Sequence, residues 1–173
     1  KSVIGNGSVI NPITLGNEIV TLTEQGVEIN DCNLLISSAA HLTLPSYIYD
    51  DVIRESGDGA QGSTKSGIAQ TYSHKALRDG MQAHKINNDP RALFEKTLDS
   101  LREQRADRKK AGLDDIDEYQ TAKKFYNAAM RLGELITDTT LMINRELDSG
   151  ARVLAEGAQA YLLDNDHGMY PYV

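Results

Sequence analysis

Two short apolar runs separated by a helical stretch constrain this chain more than any other feature. Ser2-Val3-Ile4 reads as a buried strand that stops at Gly5-Asn6-Gly7. Asn-Gly tolerates positive φ, so the stop is a tight turn. Asn11 then stands where a helix cap belongs, and Pro12 suits a first turn that needs no N–H. Leu15, Ile19 and Leu22 follow on one face, and Gly26 supplies a C-terminal stop. Residues 33–37 (Asn-Leu-Leu-Ile-Ser) are again an apolar run of strand length. Strand, helix, strand predicts an α/β fold with a parallel sheet.

The rest of the chain reads as mostly helical. Residues 45–55 suit a short helix. Residues 56–66 are almost all small and polar, with Gly57, Gly59 and Gly62, and read as a mobile loop of the kind that carries function. Pro90 opens a helix bearing Leu93, Phe94, Thr97, Leu98 and Leu101. Its basic end, Arg105–Lys110, reads as a solvated face, and Gly112 breaks it. One long amphipathic helix is expected over 115–148. Tyr119, Ala122, Phe125, Ala129, Leu132, Ile136, Thr139 and Ile143 keep a helical spacing there, which core packing explains. Residues 152–155 are expected to return as a strand, with Glu156-Gly157-Ala158-Gln159 at its C-terminal end. Parallel sheets bind ligands at that edge.

Composition narrows the function. At 173 residues, with 40% hydrophobic and 25% charged, the chain suits one ordinary core. A net charge of −7 argues against non-specific nucleic-acid binding, yet permits a local pocket for one phosphate. Cys32 is the only cysteine, so neither an internal disulfide nor a Cys-based zinc site is expected, and a reducing compartment fits. No apolar run approaches the roughly 20 residues of a spanning helix. Lys1 is not an initiator Met, so the natural chain is expected to begin earlier, and the lack of a targeting segment carries little weight.

Several motif readings fail on context. Residues 57–62 spell GxGxxG, but Ile53-Arg54-Glu55-Ser56 is not the apolar strand that a dinucleotide fold needs. Residues 59–66 nearly spell a phosphate-binding P-loop, except that Thr64 stands where its second Gly belongs. Taken alone, that segment reads as a flexible surface loop. Still, Ser63, Thr64, Lys65 and Ser66 offer hydroxyls, N–H groups and one cation, which are the groups a phosphate needs. Asp164, Asp166 and Gly168 miss calcium-loop spacing, and His41, His74, His84 and His167 form no i,i+3 or i,i+4 metal pair.

Three segments together resemble the adenylosuccinate synthetase family. The first is Val3-Ile4-Gly5-Asn6-Gly7 with Asn11-Pro12, continued by Leu35-Ile36-Ser37, His41-Leu42 and Leu44-Pro45. The second is Gly62-Ser63-Thr64, then Gly67-Ile68, Tyr72, Lys75 and Arg78. The third is Glu156-Gly157-Ala158-Gln159, Leu162-Leu163-Asp164, Asp166-His167-Gly168 and Tyr170-Pro171-Tyr172-Val173, which is long and specific. They occur in family order.

The resemblance implies an α/β fold with a P-loop-like parallel core and a long helical insertion. It implies that residues 1–173 are the central portion of a single domain, an interior fragment without the N-terminal catalytic loop or the C-terminal guanine-recognition part. The implied reaction is GTP-dependent ligation of L-aspartate to IMP, in which GTP phosphorylates the 6-oxygen and aspartate displaces that phosphate. This belongs to AMP biosynthesis, in the cytoplasm. Catalytic Asp, general-acid His and Mg²⁺ site are implied to lie outside this chain, which alone should be inactive.

Within it, Thr64 matches a contact to the IMP 5′-phosphate, although a loop-stabilising Thr is the plainer reading. Arg78 matches a residue that reaches the partner's IMP across a homodimer, where a surface Arg is the commoner chemistry. Gln159 matches the reader of the base edge and Leu163 a residue of the base pocket; Ser63, Lys65 and Asn6 lie nearby. No nucleic-acid or membrane partner is implied. Departures from the family pattern are Lys65-Ser66 for Gly-Arg, Ala69-Gln70 for Gly-Pro, Asp79 and Gln82 for Arg, and Ala160-Tyr161 for Gly-Thr. They leave open a sibling ligase acting on a 2-amino purine deoxynucleotide, and a non-catalytic nucleotide-binding or dimerisation module.

Overall fold

The structure, a computed structural model, describes residues 1–57 and 60–173. Asp58 and Gly59, part of the expected 56–66 loop, lie outside the described residues. In chain order the elements are β1 (Ser2–Ile4), β2 (Val9–Ile10), α1 (Pro12–Glu24), β3 (Leu34–Ser37) and β4 (His41–Leu42). Then follow α2 (Pro45–Arg54), α3 (Ile68–Leu77), α4 (Lys85–Asn88), α5 (Pro90–Glu103), α6 (Arg105–Lys110) and α7 (Glu118–Met130). β5 (Ile136–Thr137) and α8 (Thr139–Asp148) complete the folded body.

The expected parallel sheet is present. β3 lies between β1 and β5 and is parallel to both, with Val3 opposite Leu35 and Ile36 opposite Ile136. β2 and β4 form a second parallel pair, Val9 opposite His41. A parallel pair cannot be closed by a tight turn. The chain therefore leaves β3, builds α2 to α7, and only then returns as β5; this excursion is the long helical insertion.

Local chemistry sets the helix starts. Asn11 Oδ1 accepts from the N–H of Ile13 at 3.0 Å and of Thr14 at 3.4 Å, with Pro12 in the first turn. Asp89 caps α5 by accepting from Ala92 N at 3.1 Å, again before a proline. Inside, Ile36, Leu42, Leu44, Leu93, Phe125 and Leu132 are almost wholly buried and form one core.

Three sequence expectations fail. The single helix over 115–148 is two helices with β5 between them. At Gly133 a Cβ would stand 2.7 Å from Asn87 Oδ1, and Asp138 starts a new helix by accepting from Leu141 N at 3.0 Å. The apolar period continues through the break because Leu132 and Leu135 reach the same core from the intervening 3₁₀ turn, so spacing alone could not reveal it. Residues 152–155 are not a strand: positions 151–160 are all exposed and, among the described residues, no neighbouring strand takes their ladder bonds. The basic run Arg105–Lys110 is not uniformly solvated. Arg108 is 2% exposed, donates to Leu101 O at 2.7 Å and Glu118 Oε1 at 2.9 Å, and lies over the Tyr49 ring. It pins α6 to α7.

His41 carries a pH dependence. It is buried in β4, and its Nδ1 has no hydrogen-bond partner among the described residues. Burial, then the nearby Lys75 charge, lowers its pKa below the ordinary 6.5. The folded chain therefore refuses a proton that the unfolded chain accepts. Stability should be level above about pH 6.5 and decline as pH falls through that value. Urea unfolding between about pH 7.5 and 5.5 should show this decline, reduced in His41→Gln. An equal decline in the variant would contradict the assignment.

Candidate nucleotide site

The segment between α2 and α3 is where phosphate chemistry concentrates. Gly62, Lys65 and Gly67 have φ of 80°, 56° and 74°, all left-handed. A left-handed residue beside a right-handed one is the backbone step from which anion-binding nests are built. A lysine adopts this φ at a cost of about 1–2 kcal/mol.

Two carboxylates organise the segment, Asp51 in α2 and Glu55 at its C-cap. Asp51 Oδ2 accepts from Ser63 Oγ at 2.8 Å and Gly67 N at 2.9 Å. Glu55 accepts from Gln61 N and Gly62 N, each at 2.9 Å, and these backbone donors, Gln61 first, lower its carboxyl pKa. Ser63 Oγ also accepts from Lys65 N at 3.1 Å. Thr64, Lys65 and Ser66 are exposed, with Thr64 Oγ1 donating to Ser66 Oγ at 2.9 Å. Among the described residues, the N–H groups of Thr64 and Ser66 have no partner.

The turn after β1 is tied to the same helix. Lys75 Nζ donates to Asn6 O at 2.9 Å, and Tyr72 OH donates to Gly7 O at 2.9 Å. Two segments far apart in sequence, 5–7 and 62–78, are thus one unit, which brings Asn6 beside α3.

Arg78 stands at the other end. It caps the C-terminus of α3 at φ 66° and is exposed. With 10 residues in α3, the helix separates it from the loop by about 15 Å. Beside it, Asp79 accepts from His74 Nδ1 at 2.8 Å, which holds the Asp79 carboxyl below the usual range, while the His74 ring stacks on Tyr47. Asp79 thus has a local partner.

Gln159 and Leu163 are not brought to this loop. Gln159 lies in the exposed extended stretch, and Leu163 is 49% exposed in a short 3₁₀ turn. Among the described residues, 152–173 make no hydrogen bond to the folded body; Asp164 instead gathers Asp166 N, His167 N and the His167 ring. Val153, Leu154, Tyr161 and Tyr170 are all more than half exposed.

A concavity of about 700 Å³ between α2, α3 and α5 is lined by Asp50, Asp79, Glu95, Asp99, Glu103 and Asp107. Its sign repels phosphate. A second, smaller concavity of about 370 Å³ between α1 and α7 carries Lys123, Lys124 and Arg131 but lies away from the segments of the family motif. Among the described residues, no group of three or more His, Cys, Asp or Glu side chains is placed to hold a metal ion.

Sequence reasoning missed Asp51 and Glu55. The signal was present: carboxylates at i and i+4 face the same side of a helix that runs straight into a glycine-rich loop.

The fold defines an α/β protein with a parallel core, and the exposed 64–66 segment is its candidate anion site. The adenylosuccinate synthetase family model matches residues 1–173, and the chain belongs to that family. It is 39% identical over 175 residues to an adenylosuccinate synthetase of Limosilactobacillus fermentum, covering 99% of this chain and 40% of that protein. With the Streptococcus gordonii synthetase it shares 40% identity over 179 residues, again 99% of this chain and 40% of the relative. A solved structure of a fully ligated adenylosuccinate synthetase from Plasmodium falciparum superposes with a TM-score of 0.78 at 31% identity, covering 99% of this chain and 39% of that one. The chain therefore spans about two fifths of the length of the curated relatives it matches.

Lys65 gives a test of the loop's backbone. Lys65→Gly should leave stability unchanged or raise it by up to about 1 kcal/mol, since relief of the left-handed φ is partly offset by glycine's entropy. Lys65→Val should lose more than about 1 kcal/mol, because a β-branched residue resists that conformation. Equal urea midpoints for the two variants would contradict the loop geometry.

Proposed function

We propose that this chain is the nucleotide-binding central part of a GTP-dependent ligase that joins L-aspartate to IMP, giving adenylosuccinate, GDP and phosphate. In this reading Thr64 contacts the IMP 5′-phosphate, with Ser63 and Lys65 beside it and Asn6 nearby. Gln159 reads the hypoxanthine edge, since a neutral amide both donates and accepts. Leu163 lines the base pocket. The observation that most supports the reading is the exposed 64–66 segment, where among the described residues the N–H groups of Thr64 and Ser66 have no partner and the two hydroxyls bond only within the segment.

The chemistry of phosphorylating the 6-oxygen belongs to residues outside this chain, as does Mg²⁺; the side chains described here do not fit a metal site, and no step is derived through one. What this chain contributes is binding and orientation, which place the reacting oxygen and cut the entropic cost of the transfer. The reading includes a cytoplasmic homodimer. No described helix is long and apolar enough to cross a membrane.

The exposed side chain of Arg78, about 15 Å of helix away from Thr64, suits a phosphate contact made to the partner subunit rather than its own. Arg–phosphate pairs are charge-assisted, and removing one member costs about 1.5–3 kcal/mol. In a full-length synthetase carrying this sequence, Arg78→Leu should therefore weaken IMP binding while the protein stays folded. Mixing that variant, assayed at IMP too dilute for it to turn over alone, with one lacking the N-terminal catalytic Asp tests the geometry. If Arg78 serves the partner, each hybrid dimer holds one complete site and activity returns in part. Absence of any recovery would place Arg78 in its own subunit's site and reject the shared arrangement.

A further inference from the structure

The geometry points to Asp51 and Glu55 as positioning residues for the nucleotide's phosphate, one carboxylate in the last turns of α2 and one at its C-cap, which together fix the 61–67 segment in its binding shape. This rests on the reading of Thr64 as a phosphate contact and adds what holds Thr64 in place.

Asp51 is 3% exposed, and a single oxygen of it receives both Ser63 Oγ and Gly67 N. That oxygen joins the two ends of the five-residue turn that carries Thr64. Gly67 cannot drift away from it. At φ 74°, a Cβ there would stand 3.0 Å from Ile48 N and Tyr47 C, so the loop's end is pressed against the backbone of α2. One turn along α2, Glu55 Oε1 takes Gln61 N and Oε2 takes Gly62 N. The two carboxylates thereby engage the amides at 61, 62 and 67, while among the described residues the N–H groups of Thr64 and Ser66 have no partner.

Both negative charges sit beneath the loop and are engaged by its amides. Lys65 supplies a compensating positive charge and acts on Glu55. A loop ordered before the ligand arrives does not charge its ordering cost to binding. Bonds that merely stabilised the fold would affect the folded fraction but not the affinity of the folded protein for nucleotide.

The test is a four-variant kinetic series in a full-length synthetase carrying this sequence: Asp51→Ala, Asp51→Asn, Glu55→Ala and Thr64→Ala. Asp51→Ala and Glu55→Ala should each raise KM for IMP on the order of tenfold, with KM for GTP and aspartate within about twofold. Asp51→Asn should recover most of the loss, because its amide oxygen can accept the same two bonds. Glu55 is only partly buried, so Glu55→Ala keeps the question open to experiment even if Asp51→Ala fails to fold. A lowered Tm in Glu55→Ala with KM for IMP unchanged would overturn the inference. If Thr64→Ala raises KM for IMP while Glu55→Ala does not, the inference fails and the phosphate site stands. If Thr64→Ala also leaves it unchanged, both fail.

Discussion

The parallel pairing of β3 with both β1 and β5 is the constraint on which the rest of this structure depends. Ile36, at the centre of β3, is 1% exposed, with Ile4 on one side and Ile136 on the other. Neither neighbour can be reached by a hairpin, because parallel strands require a crossover. The first crossover carries β2 and α1. The second holds nearly all the helices, and the candidate site lies within it. The candidate loop is therefore not an ornament on the sheet edge. It belongs to the long excursion between two strands that must lie side by side, and α2 and α3 hold it against β2 and β4.

Electrostatics gives the loop its shape. The N-terminal end of α3 would itself attract an anion, but Asp51 already occupies it through Gly67 N. Glu55 does the same for the preceding amides. The protein's own carboxylates take the inward positions, and a ligand anion is left with the outward face of Thr64, Lys65 and Ser66. In a chain of net charge −7, the proposed phosphate contact depends on Asp51 and Glu55 being engaged by the loop's own donors.

Much of this was legible in the sequence, for local reasons. Asn11-Pro12 announces α1, and Asp89 followed by Pro90 sits where α5 starts. Residues 2–4 and 33–37 read as strands because they are short, apolar and bounded by turn formers. The break at Gly133 was hidden, since the apolar period runs unbroken through a 3₁₀ turn and a two-residue strand whose existence depends on β3, far away in sequence. Arg108 was misread because a basic run looks solvated until Glu118 and Tyr49 fold onto it. The site was half legible. Thr64 and its neighbours stand out by composition, and Asn6 joins them only through Lys75, a contact across 69 residues. Gln159 and Leu163 remain apart from the loop: their segment packs on itself and leaves Leu154 and Tyr170 exposed.

The central claim is that residues 61–67 form a nucleotide phosphate site. Amide hydrogen exchange in a full-length synthetase carrying this sequence, with and without IMP, addresses it most directly. The N–H groups of Thr64 and Ser66, without partners among the described residues, should exchange fast alone and become protected on binding, while those of α5 and α7 change little. Equal exchange at Thr64 and Ser66 in the two states, under conditions where IMP is bound, would contradict the account.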